Sequence, residues 1–337
     1  MLDASDTPDR STERGRNVVP GRFGNQGPAP APRLAPLEYP WRSDSDGVTK
    51  LIFCPRPVVP MTSLSIPRLA AHGAEIPAIG FGTGQLTDPA AAVASALAAG
   101  YRHLDAARKY GTEEGVGEGI RVAKVPREEL FITTKVSHEN LRAADFARSV
   151  EQSLRALGLS YVDLLLVHWP NAAIPLAETM GALARAKRDG VARHVGVANF
   201  NIAMVDEARR LCAEPLVTLQ AEFHPYLDQT KVRAAMAERG MVLTGYCPLG
   251  RGRLINDPVV GEIARRRGKT VAQIALRWAI QHGNVAPIPR SSNPQRIAEN
   301  LAVFDFALSD DEMARIGALR RRDSRIADPA GRAPAWD

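Results

Sequence analysis

Short apolar runs alternate with longer amphipathic stretches along most of this chain. The runs at about 76–82, 101–106, 130–135, 162–168, 193–198, 217–222, 241–246 and 285–289 have the length and near-continuous apolar character of strands buried on both faces. Helical periodicity fills the intervals at 88–99, 112–121, 142–158, 175–189, 201–212, 228–239, 270–282 and 294–301. Eight strand–helix pairs in about 230 residues predict an α/β fold, a (β/α)8 barrel of TIM type rather than a doubly wound sheet. Boundary residues agree: Asp88-Pro89, Asp228 and Asn293-Pro294 start helices, and Gly100, Gly190, Gly240 and Gly283 close them just before strands. Ahead of the barrel, 66–77 reads as a β-hairpin turning near His72-Gly73, placed to plug the N-terminal mouth. After the eighth pair, Ser309-Asp310-Asp311-Glu312 caps an extra C-terminal helix to about 319, and 323–337 is a polar loop.

Residues 1–60 break this pattern. They hold 10 of the 25 prolines and no helix-length periodic run, the composition of a disordered extension. Met61 is the expected natural start, with the preceding segment an artefact of start-codon choice; the alternative is a genuine disordered extension. The barrel domain is then 61–337. No secretory leader or organelle-targeting segment is expected, and no 18-residue apolar run points to a membrane.

The formal charge is +6, and residues 1–60 carry 8 Lys and Arg against 7 Asp and Glu, so about +5 sits on the barrel and favours anionic ligands. Arg265–Arg267 precede Gly268 and suit a helix C-terminus; no motif points to nucleic acid. Three scattered cysteines imply neither a disulfide framework nor a metal site and fit a reduced, cytoplasmic setting. Nothing in the pattern demands a dimer, and a monomer is expected.

Asp105, Tyr110, Lys135 and His168 fall at or near the ends of separate strands, where barrel chemistry collects. An isolated Tyr titrates near 10, too high for an efficient acid at neutral pH. A nearby Lys135 ammonium would lower it, Asp105 would hold that ammonium charged, and His168 would orient a carbonyl. The set suits a carbonyl that gains a hydride on carbon and a proton on oxygen. It does not suit acyl transfer, because no Ser or Cys sits beside a base. Paired carboxylates and metal clusters, which a barrel hydrolase or isomerase would need, are not evident. The segment I-P-R-S at 288–291 offers a cation and a hydroxyl to a phosphate.

Several motifs carry a resemblance: G-Y-R-H-L-D at 100–105 with Tyr110 five residues on, L-L-L-V-H-W-P at 164–170, G-V-A-N-F at 196–200, E-F-H-P-Y-L at 222–227, G-Y-C-P-L-G at 245–250, and I-P-R-S followed by R-I-A-E-N at 296–300. From about Ile66 to Asp337 the chain resembles the aldo-keto reductase family, nearest the bacterial 2,5-diketo-D-gluconate reductases. The resemblance implies Tyr110 as general acid, Lys135 and Asp105 tuning it, His168 orienting the carbonyl and Trp169 walling the substrate pocket. The small-molecule substrates implied are aldehydes and ketones, among them dicarbonyls, keto-sugar acids and aromatic aldehydes. It also implies NADPH bound without a G-x-G-x-x-G loop, which this chain lacks. Asn199 and Gln220 would hold the carboxamide, Tyr246 would stack on the ring, and Thr83 and Asp105 would also touch the cofactor. Leu249 and Arg251 would lie along the pyrophosphate, Arg290 and Ser291 at the 2′-phosphate, Arg296 on adenine, and Glu299 and Asn300 at its edge. The alternative is a non-catalytic nicotinamide-binding sensor or partner subunit on the same fold. Departures from the family pattern are Ala198 for the usual Ser, Arg290 for Lys, Gly84 where a bulky residue is common, and Lys109 beside Tyr110. Gly84 is expected to widen the pocket and Lys109 to favour anionic carbonyls. Specificity is also expected from 323–337, with Trp336 folding over the pocket.

Overall fold

A computed structural model describes residues 66–321 and 324–337, so the extension expected at 1–60 and the start at Met61 lie outside the described residues. Strands β1 (Arg68–Ala71) and β2 (Ala74–Pro77) form the antiparallel hairpin, with His72 and Gly73 at φ 46 and 85 in the turn. The strand expected at 76–82 is divided. Ile76 and Pro77 belong to the hairpin, whose ladder ends at the Pro77–Arg68 pair, and only β3 (Phe81–Gly82) enters the barrel.

Seven further strands follow in parallel: β4 (His103–Asp105), β5 (Phe131–Val136), β6 (Val162–Val167), β7 (Ala192–Ala198), β8 (Leu216–Glu222), β9 (Val242–Tyr246) and β10 (Val285–Pro287). Each pairs with its neighbour in sequence, from β3 through to β10. The ring closes where Gly80 and Gly82 N–H donate to the carbonyls of Pro287 and Pro289 at 3.0 and 2.9 Å. Neither proline has an N–H to return, so the seam is bonded in one direction only, which keeps β3 and β10 short.

Helices α1 (Pro89–Ala99), α2 (Glu113–Ala123), α3 (Ala143–Leu157), α4 (Leu176–Arg188), α5 (Ile202–Leu211) and α6 (Thr230–Glu238) follow β3 to β8 in turn. Then come α7 (Pro258–Arg267), α8 (Val271–Gln281), α9 (Pro294–Leu301) and α10 (Asp310–Gly317). Asp88 and Asn293 cap α1 and α9, and Ser309 and Glu312 close a capping box on α10. Helix α7 was legible only at its Arg265–Arg267 end. It buries just Val260, Ile263 and Ala264, and Asp257-Pro258 starts it as Asp88-Pro89 starts α1.

Strand alternation sorts two cores. Ile132 and Val136 of β5 face the helices with Leu165, Val195 and Val197. Phe131, Leu164, Leu166 and Val242 point into the barrel, where Ala71, Ala74 and Ile76 of the hairpin cover them. The hairpin therefore closes one mouth and leaves the other, at the strands' C-terminal ends, for chemistry.

A Cβ on Gly80 would meet His103 Nδ1 at 2.6 Å and the Ile288 side chain at 2.9 Å. Gly80→Ala should therefore cost about 1–3 kcal/mol by overpacking. Gly181→Ala, in open space on α4, should stabilise by about 0.5–1 kcal/mol. Urea unfolding of both reads the contrast, and equal midpoints would contradict the seam.

Candidate active site

Inward-pointing positions at the strand ends carry the polar residues. Lys135 continues the inward series Phe131–Thr133 on β5, and His168 continues Leu164–Leu166 just past β6. Lys135 is fully buried. Its ammonium donates to Asp105 Oδ1 at 2.6 Å, to the Ala106 carbonyl at 2.8 Å and to Tyr110 Oη at 3.4 Å. Asp105 Oδ2 accepts from Gln220 Nε2 at 2.7 Å, and the Asp105 carbonyl accepts from both the N–H and the hydroxyl of Thr83. Tyr110 ends a short 3-10 turn (Arg108–Tyr110) that Gly111 closes at φ 67. Its ring meets that of His168 edge-on, 5.5 Å between centroids. The four residues expected to act together are brought together.

The electrostatics refine the expectation. Desolvation, the largest single influence, opposes the charge on Lys135, but Asp105 and Tyr110 together outweigh it and the ammonium's pKa is raised. Burial raises the Tyr110 phenol, and Lys135 only partly pulls it back, so the expected net lowering of its pKa is not found. Burial first, and then the Lys135 charge, lower His168 to about 3, so its imidazole is neutral at physiological pH.

A cavity of about 620 Å³ opens over this group. Thr83, Tyr110 and Tyr246 line its inner end, and Leu249, Arg251 and Arg290 line the outer. Gly84 lies against Tyr110, where a Cβ would sit 3.5 Å from the phenol ring. Lys109 also reaches the cavity, but its ammonium is paired with Glu139 at 2.7 Å. Asn199, at φ 63, donates to the His168 carbonyl and accepts from the Tyr246 hydroxyl. Ser291 and Arg296 flank the start of α9, Glu299 is tied to Gln295, and Asn300 is buried. Arg251, Arg290 and Arg296 make no ion pair among the described residues. Trp169 meets Trp336 edge-on at 6.2 Å, so the C-terminal segment does come over this face.

Residues 78–321 match the family described as the aldo/keto reductase family. This chain belongs to that family. The methylglyoxal reductase DkgB of Salmonella typhimurium is 39% identical over 267 residues, 78% of this chain and 99% of that protein. A solved structure provisionally named a 2,5-diketo-D-gluconic acid reductase B is 44% identical, with a TM-score of 0.79 over 81% of this chain and 98% of that one. A Bombyx mori aldo-keto reductase solved in complex with NADP is 34% identical, with a TM-score of 0.70 over 75% of this chain and 92% of that one. Among the described residues no His, Cys, Asp and Glu group could hold a metal ion, and no helix is long and apolar enough to cross a membrane.

One buried group escaped the sequence reading. Glu222, two residues beyond Gln220 on β8 and so on the same face, accepts from Ile326 N, Ala327 N and His224 Nε2 at 2.7–3.0 Å. Its signal was a carboxylate at the end of an apolar run; its backbone partners, a hundred residues on, gave none.

Burial lowers His103 and His282 to about 4, as it lowers His168 to about 3. Unfolded imidazoles titrate near 6.5, so below that pH the unfolded chain binds more protons. Stability contributed by the neutral rings is full above pH 6.5 and falls as pH drops toward 4. The urea midpoint should therefore be lower at pH 5 than at pH 7, and less so in His168→Gln. Equal midpoints in the wild type would contradict this.

Proposed function

We propose that this protein is an NADPH-dependent reductase of aldehydes and ketones, with dicarbonyls, keto-sugar acids and aromatic aldehydes as substrate classes. The observation that carries the proposal is the buried Lys135 ammonium between Asp105 and the Tyr110 hydroxyl at the base of the cavity. Bound NADPH would supply a hydride to the carbonyl carbon. Tyr110 donates its proton to the carbonyl oxygen. Lys135 stabilises the phenolate left behind, and Asp105 keeps Lys135 charged and in place. Neutral His168 donates a hydrogen bond to the same oxygen, and Trp169 walls the substrate side.

The cavity suits the cofactor at both ends. Asn199 and Gln220 offer amide groups to a carboxamide and the Tyr246 ring offers a face to a nicotinamide, with Thr83 and Asp105 alongside. Leu249 and Arg251 lie where a pyrophosphate would pass. Arg290 and Ser291 would take the 2′-phosphate, Arg296 the adenine face, and Glu299 and Asn300 its edge. The guanidiniums of Arg251, Arg290 and Arg296, none in an ion pair among the described residues, support a phosphate-rich ligand and favour NADPH over NADH. Free Cys212 and Cys247 fit a reduced, cytoplasmic setting.

NADPH oxidation followed at 340 nm with methylglyoxal and aromatic aldehydes tests this reading. Tyr110→Phe should lose nearly all turnover while still binding NADPH. Arg290→Ala should raise KM for NADPH about tenfold or more and leave that for NADH nearly unchanged. NADPH binding without turnover in the wild type would instead make the protein a cofactor sensor.

A further inference from the structure

The turn that carries Tyr110 is fastened to β5 by two carboxylates, one buried and one exposed. Glu113 follows Tyr110 by three residues and opens α2. Its side chain is buried, and so is that of Thr134, the residue before Lys135 on β5. Thr134 Oγ1 donates to Glu113 Oε1 at 2.6 Å. Glu113 Oε2 is sealed from solvent without a hydrogen-bond partner, and Arg108 Nη1 stands 3.6 Å from it. Arg108 opens the Arg108–Tyr110 turn, so Glu113 draws the residues on either side of Tyr110 together and ties them to the strand. In the exposed link, Lys109 pairs with Glu139 at 2.7 Å, and Glu139 accepts from Ser137 Oγ, two residues beyond Lys135.

The two links differ in strength. The side chains of Lys109 and Glu139 are 54% and 43% exposed, and pairs in solvent hold little against screening and side-chain entropy. The Glu113 side chain is 1% exposed. A carboxylate buried to that extent is costly without its partners, so Thr134 and Arg108 are held to it. Alternation along β5 sends Lys135 inward and Thr134 outward with Ile132 and Val136, toward the helices. Glu113 therefore grips the back of the strand whose front carries the ammonium. The Tyr110 hydroxyl lies 3.4 Å from Lys135 Nζ, at the long end of a hydrogen bond, where a small shift of the turn loses the contact. The charged and titratable groups that face the phenol are Lys135, Asp105, His168, Cys247 and Tyr246. Glu113 acts on it through the backbone of the turn.

We propose that Glu113 is a positioning residue that holds the Tyr110 turn against β5 and thereby sets the reach from the Tyr110 hydroxyl to the Lys135 ammonium. The inference rests on the reductase reading above for its kinetic readout, and a second readout needs no turnover. Tyr110 is followed by fluorine NMR in protein labelled with 3-fluorotyrosine, its resonance assigned by its loss in Tyr110→Phe. In Glu113→Gln the phenol should titrate at higher pH than in wild type, because it has drawn away from the ammonium. Losing a negative charge would by itself move the titration down, so the sign separates position from field. With an aldehyde substrate, kcat should fall about tenfold or more while KM for NADPH stays within about twofold. Thr134→Val removes only the hydroxyl and should move both readouts in the same directions, which keeps the test valid if Glu113→Gln fails to fold. Thr134→Ser, which keeps the hydroxyl, should restore most of the loss. A titration moved to higher pH in a protein that turns over no carbonyl would uphold the positioning role and overturn the reductase reading. A titration unmoved or moved down in the folded variants would overturn the proposal.

Discussion

A fully buried ammonium is expensive unless it is paired and hydrogen-bonded, and the Lys135 charge is the feature around which this barrel's open end is arranged. Asp105 supplies the counter-charge, the Ala106 carbonyl a second acceptor and the Tyr110 hydroxyl a third. Each requires strand register to be kept. Asp105 pairs with Thr133 across β4 and β5, so Lys135 stands two residues beyond, on the same inward face, and reaches back over the end of β4. A one-residue slip would turn Lys135 outward toward the helices and leave Asp105 buried without its partner. Thr83 and Gln220 hold Asp105 from β3's end and from β8, so residues from four strand ends share one ion pair.

The same burial that makes the pair necessary also opposes its effect on Tyr110. Enclosure raises the phenol's pKa while the ammonium pulls it down. The tuning is a balance of two opposed effects, and the hydroxyl stays protonated, the form a proton donor needs. His168, held neutral by burial and by Lys135, remains a hydrogen-bond donor and adds no positive charge beside the ammonium. Around this centre the C-terminal segment is fastened through Glu222, which lies on the same strand face as Gln220. The chain's end is thereby fixed to the strand that also supports Asp105.

Much of this was legible in the sequence because short-range rules dominate it. Apolar runs placed Lys135 and His168 at or near strand ends, and Asp-Pro, Asn-Pro and Gly marked the helix ends. The places where sequence reading failed are where distant segments decide the structure. The run 76–82 looked like one strand, but the hairpin ladder claims Ile76 and Pro77 and the Pro287–Pro289 seam claims Gly80 and Gly82. Lys109 looked like a free cation beside Tyr110; Glu139, thirty residues on, neutralises it. Glu222 looked like the end of an apolar run; its hold on Ile326 and Ala327 depends on how the C-terminal loop folds back.

The most direct test of the central claim is the pH–rate profile of hydride transfer in a single turnover, wild type beside the double variant Asp105→Asn/Lys135→Met. Replacing both partners avoids leaving one charge buried alone, and circular dichroism checks the fold. The account predicts a rate lower by about a hundredfold or more, with the alkaline limb moved to higher pH because the phenol has lost its ammonium. A folded double variant with the wild-type rate and an unmoved limb would contradict it.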